Sequence, residues 1–239
     1  MGLFGLFGGR KESLISSGIL SGARDCHTHI LPDVDDGVRT MEQALEILAY
    51  EESAGISEVW CTPHVMEDVP NATDQLLDRF AELRAAYKGP VQLHLAAEYM
   101  LDTEFEKRLD EKDLITMWDD LVLVETSANI PPYNLLDIFR NMLSYGYRPL
   151  LAHPERYRYM QMKDYADLHD MGVFFQVNLG SLVSYYGETA RKKAEVLLEK
   201  GWYYAAGSDC HRLVAVRKQF EDEVLTSKVR NDLDKLLRL

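Results

Sequence analysis

Cysteine is scarce in this chain: Cys26, Cys61 and Cys210 are the only three in 239 residues. An odd number at such spacings makes no disulfide framework, which points to a reducing cytoplasm. Long apolar runs are missing too. No stretch approaches the ~20 residues that cross a bilayer, so no membrane span is expected. Basic side chains are in deficit, with 26 Lys and Arg against 39 Asp and Glu and a net charge of -13. A surface this acidic has no general attraction for phosphate backbones, which excludes nucleic-acid binding of the electrostatic kind. Part of the excess is explained if some carboxylates serve cations. The opening residues, Met1–Gly9, lack a basic residue ahead of their apolar run, and Leu6 stands where a myristoylation motif needs Ser or Thr. They read as a loosely docked tail or a peripheral membrane or partner contact.

What is present is a regular alternation of strand and helix patterns. Hydrophobic residues make up 46% and charged residues 27%, enough for a sizeable core. Residues 1–22 read as tail and linker, with a short helix or linker at Lys11–Gly22, and residues 23–239 as one domain. Strands are expected at Ala23–His27, Ser57–Thr62, Val91–Glu98, Leu121–Glu125, Pro149–His153, Val173–Asn178 and Trp202–Asp209. Amphipathic helices fall between them, from the N-cap Thr40 to Gly55 and over Thr73–Tyr87, Asp102–Leu109, Asn134–Tyr145, Asp164–Met171 and Glu188–Lys200. One or two more cover the leucine-rich C-terminal stretch. Units repeating roughly every 30 residues imply an α/β fold with a parallel sheet and helices outside. Seven units in one domain favour a closed barrel, whose functional side chains gather at the C-terminal ends of its strands.

The residues at those ends are of one chemical kind. The first strand delivers His27 and His29, two apart and so on one face. The second ends at His64, the third at Glu98, the fourth at Glu125 and the fifth at His153. The seventh delivers Asp209 and His211, while the sixth offers only Asn178 and Ser181. Strand ends of a barrel converge, so these groups must meet, and crowded carboxylates without cations would cost several kcal/mol. Eight donors exceed the needs of one four-coordinate ion. Two or three bridged divalent cations fit better, and mixed imidazole and carboxylate ligands suit Mn, Fe or Zn. His94, inside a strand, and His169, inside a helix, read as structural.

The stretches DCHTHILPDVDDG, CTPH, AAEY, VETS followed by PPYN, AHPERY, QVNLGSL and GSDCH, in that order, resemble the PHP (polymerase and histidinol phosphatase) superfamily. The chain is most similar to its bacterial protein-tyrosine phosphatases, which act on the tyrosine kinases of capsule and exopolysaccharide synthesis. That resemblance implies a distorted (β/α)7 barrel with a trinuclear metal site at the C-terminal ends of the strands. It assigns His27, His29, Glu98 and Asp209 to one ion, Glu98, Glu125 and His153 to a second, and Asp36, His64 and His211 to a third. Asp36 comes from the resemblance alone, since an aspartate before Gly37 also reads as a turn residue, and Asp33 and Asp35 read as shaping the same loop. The resemblance further implies two arginines that bind phosphate. Arg156 matches the first. Arg217 is the nearest match to the second, with Arg212 as its rival.

The function implied is metal-dependent hydrolysis of phosphotyrosine (protein-tyrosine phosphatase, EC 3.1.3.48) in a partner protein such as the tail of a bacterial tyrosine kinase. Tyr133, Tyr185 and Tyr186, on the loops expected to rim the site, could pack on the phosphotyrosine ring. A cysteine nucleophile is excluded, because that chemistry needs Cys-x5-Arg and the residues six after the cysteines are Pro32, Glu67 and Val216. Two other readings share the ligand set. One is a small-molecule phosphomonoesterase of the histidinol-phosphatase type, and the other a silent metal-binding regulator.

Overall fold

The computed structural model describes residues 11–237, and the apolar stretch at the N-terminus lies outside the described residues. Nine short strands run in one direction: β1 (Arg24–Thr28), β2 (Glu58–Cys61), β3 (His64–Val65), β4 (Gln92–Leu95), β5 (Glu98–Met100), β6 (Leu121–Glu125), β7 (Arg148–Ala152), β8 (Phe174–Asn178) and β9 (Tyr203–Gly207). They form two all-parallel ladders, β1-β2-β4 and β3-β5-β6-β7-β8-β9. The ladders are joined end to end. Pro63 has no N–H to give to the ladder, so the second stave breaks there, and its neighbour jogs at Ala96-Ala97. Hydrogen bonds from Ala96 N to Cys61 O (2.9 Å) and from Glu98 N to Pro63 O (3.0 Å) carry the pairing across the break. On the other side Asp209 N donates to His27 O (2.8 Å) and His29 N to Cys210 O (2.9 Å). The result is a ring of seven staves. The expected single strand Val91–Glu98 is two pieces, β4 and β5.

Nine helices are described: α1 (Met41–Ala54), α2 (Thr73–Ala86), α3 (Thr103–Glu111), α4 (Leu135–Ser144), α5 (Met162–Met171), the single turn α6 (Leu179–Leu182), α7 (Glu188–Glu199), α8 (Leu213–Glu221) and α9 (Ser227–Leu237). α1 begins where Thr40 accepts a hydrogen bond from Gln43 N and stops at Gly55, whose left-handed backbone (φ 97°) returns its N–H to the last turn. Strand alternation sorts the core. Leu121, Leu123, Leu150 and Ala152 join Cys26, Trp60 and Ala205 in a cluster without helix residues, which fills the ring. Val122, Val124, Leu151 and Phe175 point outward onto helix residues such as Ile138, Phe139 and Leu168. Residues 11–22 are turns, with Leu14, Ile19 and Leu20 buried and Glu12 bridged to Leu225.

One acidic pair lies in the outer layer. Glu51 of α1 is fully buried, and among the described residues no donor reaches its carboxyl. It faces Asp25 of β1, whose Oδ1 accepts from His27 N (3.2 Å) and Ser208 N (2.8 Å). Burial pushes Asp25 up to about 6 and Glu51 well above its ordinary value, with the Asp25 charge adding to the second shift. Both acids therefore bind protons more tightly folded than unfolded. They favour the fold at low pH, and that contribution is lost as pH rises from the unfolded carboxylate range through 6 and beyond. Glu51→Gln keeps the shape and a donor toward Asp25. Its melting temperature should fall less than the parent's between about pH 5 and pH 8, measured by calorimetry. An unchanged slope would show that the pair carries no titration.

Candidate metal centre

β1 and β9 deliver the first group of donors. A register shift between Asp25 and Thr28 lets the end of β1 turn His27 and His29 together into the mouth of the ring. His27 Nε2 lies 3.1 Å from His29 Nε2, 3.1 Å from Glu98 Oε2 and 3.6 Å from Asp209 Oδ1. His29 Nε2 is 3.3 Å from each of the same carboxylate oxygens. Donors about 2.0–2.2 Å from a common tetrahedral centre stand about 3.3–3.6 Å apart, so this set has the spacing of a coordination shell. His153 and Asp209 both take left-handed backbone conformations, φ 35° and 54°, uncommon for residues with a Cβ and held here by the strand ends.

Two further groups adjoin the first. His64 Nδ1 is 3.2 Å from Glu98 Oε2 and 3.3 Å from Glu125 Oε1. His153 Nε2 is 3.0 Å from Glu98 Oε1 and 3.8 Å from Glu125 Oε2. Asp36 Oδ1 stands between His64 Nε2 (3.6 Å) and His211 Nε2 (3.2 Å), with His29 beside them. The structure thus brings all nine sequence-named donors into one mouth. The groups His27, His29, Glu98 and Asp209, and Asp36, His64 and His211, stand together as expected, the second with His29 added, while His64 closes on Glu98 and Glu125 where His153 was expected. His94 and His169 lie elsewhere, stacked on Trp60 and Trp202.

Buried partners fix which ring nitrogen faces the centre. His27 Nδ1 pairs with Gln176 Oε1 (3.0 Å), His29 Nδ1 with Asp35 Oδ2 (2.7 Å) and His211 Nδ1 with the Asp209 carbonyl (2.9 Å). Each acceptor holds a proton on Nδ1 and leaves the Nε2 lone pair pointing inward. Those lone pairs confront carboxylate oxygens, and Glu98 Oε2 is buried without a hydrogen-bond partner. A divalent cation between them resolves the repulsion, so the donor set fits metal.

Protons divide the charge when the donors stand alone. Burial opposes charge on His27 and His29, yet Glu98 and Asp209 outweigh it and raise both imidazoles. Burial likewise opposes ionisation of Glu98 and Asp209, and the imidazoles, His27 first, hold both carboxyls well below their usual range. Glu125 is pushed well up by burial and by the Glu98 and Asp209 charges. Burial and the Arg156 charge press His153 down to about 4.

Sequence reasoning missed Gln176 as an orienting residue and gave Asp35 only to the loop. Asp35 also accepts from Gly37 N (2.8 Å) and His64 N (3.0 Å) and is held at about 2, burial being outweighed by His29 and these donors. Asn178 donates to Asp209 Oδ2 at 3.1 Å. The signal for Gln176 was an amide inside an apolar strand, a buried polar group that must find a partner.

The arginines separate sharply. Arg156 Nη1 donates to Asp209 Oδ2 (2.6 Å), and its guanidinium lies 4.3 Å from the centre of the Tyr186 ring. It therefore stands at the edge of the donor cluster. Arg217 does not: its position on α8 turns it onto the ring of Tyr50 in α1, at 5.2 Å, so the second phosphate arginine expected there is not in the mouth. Arg212 Nη1 instead donates to the carbonyls of Asp36 (2.9 Å) and Gly37 (2.5 Å), tying down the loop that carries Asp36. Tyr133 is fully exposed and Tyr185 partly so. Cys26, Cys61 and Cys210 are free and buried, and burial raises all three thiols far from nucleophilic range.

A ring of seven parallel staves with imidazoles and carboxylates converging at its C-terminal mouth defines a class, the α/β barrels of the PHP- and amidohydrolase-like fold, here with donor clusters that could hold metal ions. Residues 23–229 match the family model for capsular polysaccharide synthesis, CpsB/CapC, and the chain belongs to this family. It is 27% identical over 201 residues to the tyrosine-protein phosphatase CpsB of Streptococcus pneumoniae, covering 79% of this chain and 83% of that one. To the tyrosine-protein phosphatase YwqE of Bacillus subtilis it is 26% identical over 196 residues, covering 79% and 77%. A crystal structure reported for these two metal-dependent tyrosine phosphatases superposes with a TM-score of 0.71 at 26% identity, over 89% of this chain and 86% of that chain. The phosphotriesterase homology protein of Escherichia coli, at 11% identity and a TM-score of 0.52 over 90% and 92%, shares the fold. Among the described residues no helix is long and apolar enough to cross a membrane.

Proposed function

We propose that this protein is a metal-dependent protein-tyrosine phosphatase, acting on phosphotyrosine in a bacterial tyrosine kinase that governs capsule or exopolysaccharide synthesis. The observation that carries the reading is Arg156 at the lip of the donor cluster, where a ligand set suited to cations and a phosphate-reading fork meet. The tyrosine phosphatase activity named for the relatives supports the same conclusion. Two or three ions of Mn, Fe or Zn would be held by His27, His29, Asp36, His64, Glu98, Glu125, His153, Asp209 and His211. Bound there, divalent cations supply Lewis acidity toward phosphoryl oxygens and lower the pKa of water.

The chain's own groups do the rest. Arg156 has one edge on Asp209 and one face on Tyr186, which pins the guanidinium and leaves its other N–H groups to bind phosphoryl oxygens. Gln176 and Asp35 keep His27 and His29 in the orientation that accepts a cation. The leaving phenol has a pKa of about 10, so it departs without a strong general acid. Asp36 is 69% exposed at its side chain, so the mouth opens directly to solvent, which suits a segment of protein chain. Three free thiols fit a cytoplasmic site of action.

The test is hydrolysis of a phosphotyrosine-bearing kinase tail by purified protein loaded with Mn, Fe or Zn, beside sugar phosphates and amino-alcohol phosphates. The expected result is a kcat/KM for the tail well above that for any metabolite. The reverse order would move the protein to small-molecule phosphatases, and no turnover of either would make it a metal-binding regulator.

A further inference from the structure

A cavity of about 240 Å³ shares Arg156 with the edge of the donor cluster. Its walls include Asn129, Arg156, Arg158, Tyr186, Thr189 and Lys193. Arg156 and Tyr186 also border the donor cluster, so they are shared between the cavity and the site of phosphate chemistry. Three cationic side chains in one small cavity are unusual for a chain with 26 basic and 39 acidic residues.

Two of these cations are already engaged. Arg156 is bound to Asp209, and Lys193 Nζ donates to the carbonyls of Tyr157 (2.6 Å) and Met160 (2.9 Å). The acid in the wall, Glu155, is engaged as well, accepting from Asn178 N (3.0 Å) and the Tyr203 hydroxyl (2.9 Å). Arg158 differs. Its backbone N–H ties it to Ala128 O (2.8 Å), but its exposed side chain has no carboxylate, carbonyl or ring partner among the described residues. Most described arginines pair with carboxylates, including Arg24, Arg79, Arg108, Arg140, Arg148 and Arg191. A free guanidinium fork on a cavity with the added charge of Lys193 has donors to give and nothing in the chain to receive them.

We propose that this cavity is a second anion subsite, which takes a carboxylate or phosphate side chain flanking the phosphotyrosine in a protein substrate, with Arg158 as its specificity-determining residue. The proposal rests on the phosphotyrosine reading above and deepens it by naming the substrate class, an acidic or multiply phosphorylated segment. The shared wall of Arg156 and Tyr186 puts the two sites side by side, so a peptide held by its phosphotyrosine offers its neighbouring side chain to Arg158. A small aryl phosphate has no such side chain and gains nothing from it.

The experiment uses the metal-loaded full chain and three phosphotyrosine peptides that differ only in the flanking residue, which is alanine, glutamate or phosphoserine. The readout is the ratio of KM values, with formation of the dephosphorylated tyrosine side chain in the peptide followed directly. The parent should favour the glutamate peptide over the alanine peptide by about tenfold, and the phosphoserine peptide by more if phosphate is the better occupant. Arg158→Gln should bring the ratio close to one, and Arg158→Glu should invert it. Both changes are at an exposed position, and p-nitrophenyl phosphate turnover reports that each variant is folded and loaded. Equal KM values for all three peptides in the parent, or a preference that survives in Arg158→Gln, would overturn the subsite and leave the phosphatase reading standing. Failure to hydrolyse any of the peptides would overturn both.

Discussion

Glu98→Gln should leave the barrel folded and lower kcat by about three orders of magnitude, with the bound cation falling in step. The carboxylate is fully buried at the point where β5 begins, and four imidazoles aim at it: His27, His29 and His64 toward Oε2, and His153 toward Oε1. It belongs to two of the three donor groups, so neutralising it strips an anionic ligand from both. The amide is the same size, so packing against the ring is kept. Its N–H group, however, would donate to an inward Nε2 lone pair and so occupy a position that a cation needs, and the His27 and His29 rings cannot turn away because Gln176 and Asp35 hold their Nδ1 sides. Cation content per chain by mass spectrometry, together with turnover of p-nitrophenyl phosphate, checks the expectation. Full metal content and full rate in the variant would show that Glu98 is no ligand and would dissolve the proposed grouping.

The barrel was legible because its signals are local. Each stave announces itself as an apolar run, each helix by periodicity and a stop such as Gly55, Gly172 or Gly201, and the alternation sets the topology. The break of the second and third staves was not legible. Val91–Glu98 reads as one strand, and nothing in Ala96-Ala97 marks the jog. Its cause lies in the neighbour, where Pro63 cannot donate and the pairing has to restart one sheet over. A strand boundary imposed by another strand is a tertiary fact.

The donor cluster was legible for a related reason. His, Asp and Glu at successive strand ends are visible as residue types, and the closure of the ring forces them together. What the types do not show is who orients whom. Three aspartates stand in the loop at Asp33, Asp35 and Asp36, and spacing cannot rank them. The fold does so by turning Asp35 inward onto His29 and leaving Asp36 at the solvent edge. Arg217 failed for the opposite reason. Its match rested on distance along the chain from His211, whereas the rotation of α8 decides where a side chain four residues into a helix points, and here that is toward Tyr50.

Gly37→Ala is the second change with a large expected effect, and it acts without touching a ligand. A Cβ on Gly37 would sit 2.0 Å from the His29 carbonyl oxygen, 2.7 Å from the His29 Cβ and 2.8 Å from Asp35 Oδ1. The first of these is backbone at the end of β1, and it cannot give, because the same carbonyl accepts from Val38 N (3.1 Å). The loop itself must move, and it is anchored by Gly37 N on Asp35 and by Arg212 on the carbonyls of Asp36 and Gly37. Displacing it withdraws Asp35 from His29 Nδ1 and Asp36 from His64 and His211. The third donor group is then lost and the first is loosened. Overpacking against backbone of this kind costs about 3 kcal/mol, so the melting temperature should drop by several degrees. Loss of an orienting partner for a ligand costs about 10–100-fold in metal affinity, so turnover at limiting cation should fall by at least that much and recover only partly with excess cation. Gly207→Ala approaches the same strand from β9, with a Cβ 2.4 Å from that of His27, and should behave alike. If Gly37→Ala bound cation as tightly as the parent, the loop would be free to shift, and Asp35 would not be what holds His29 toward the centre.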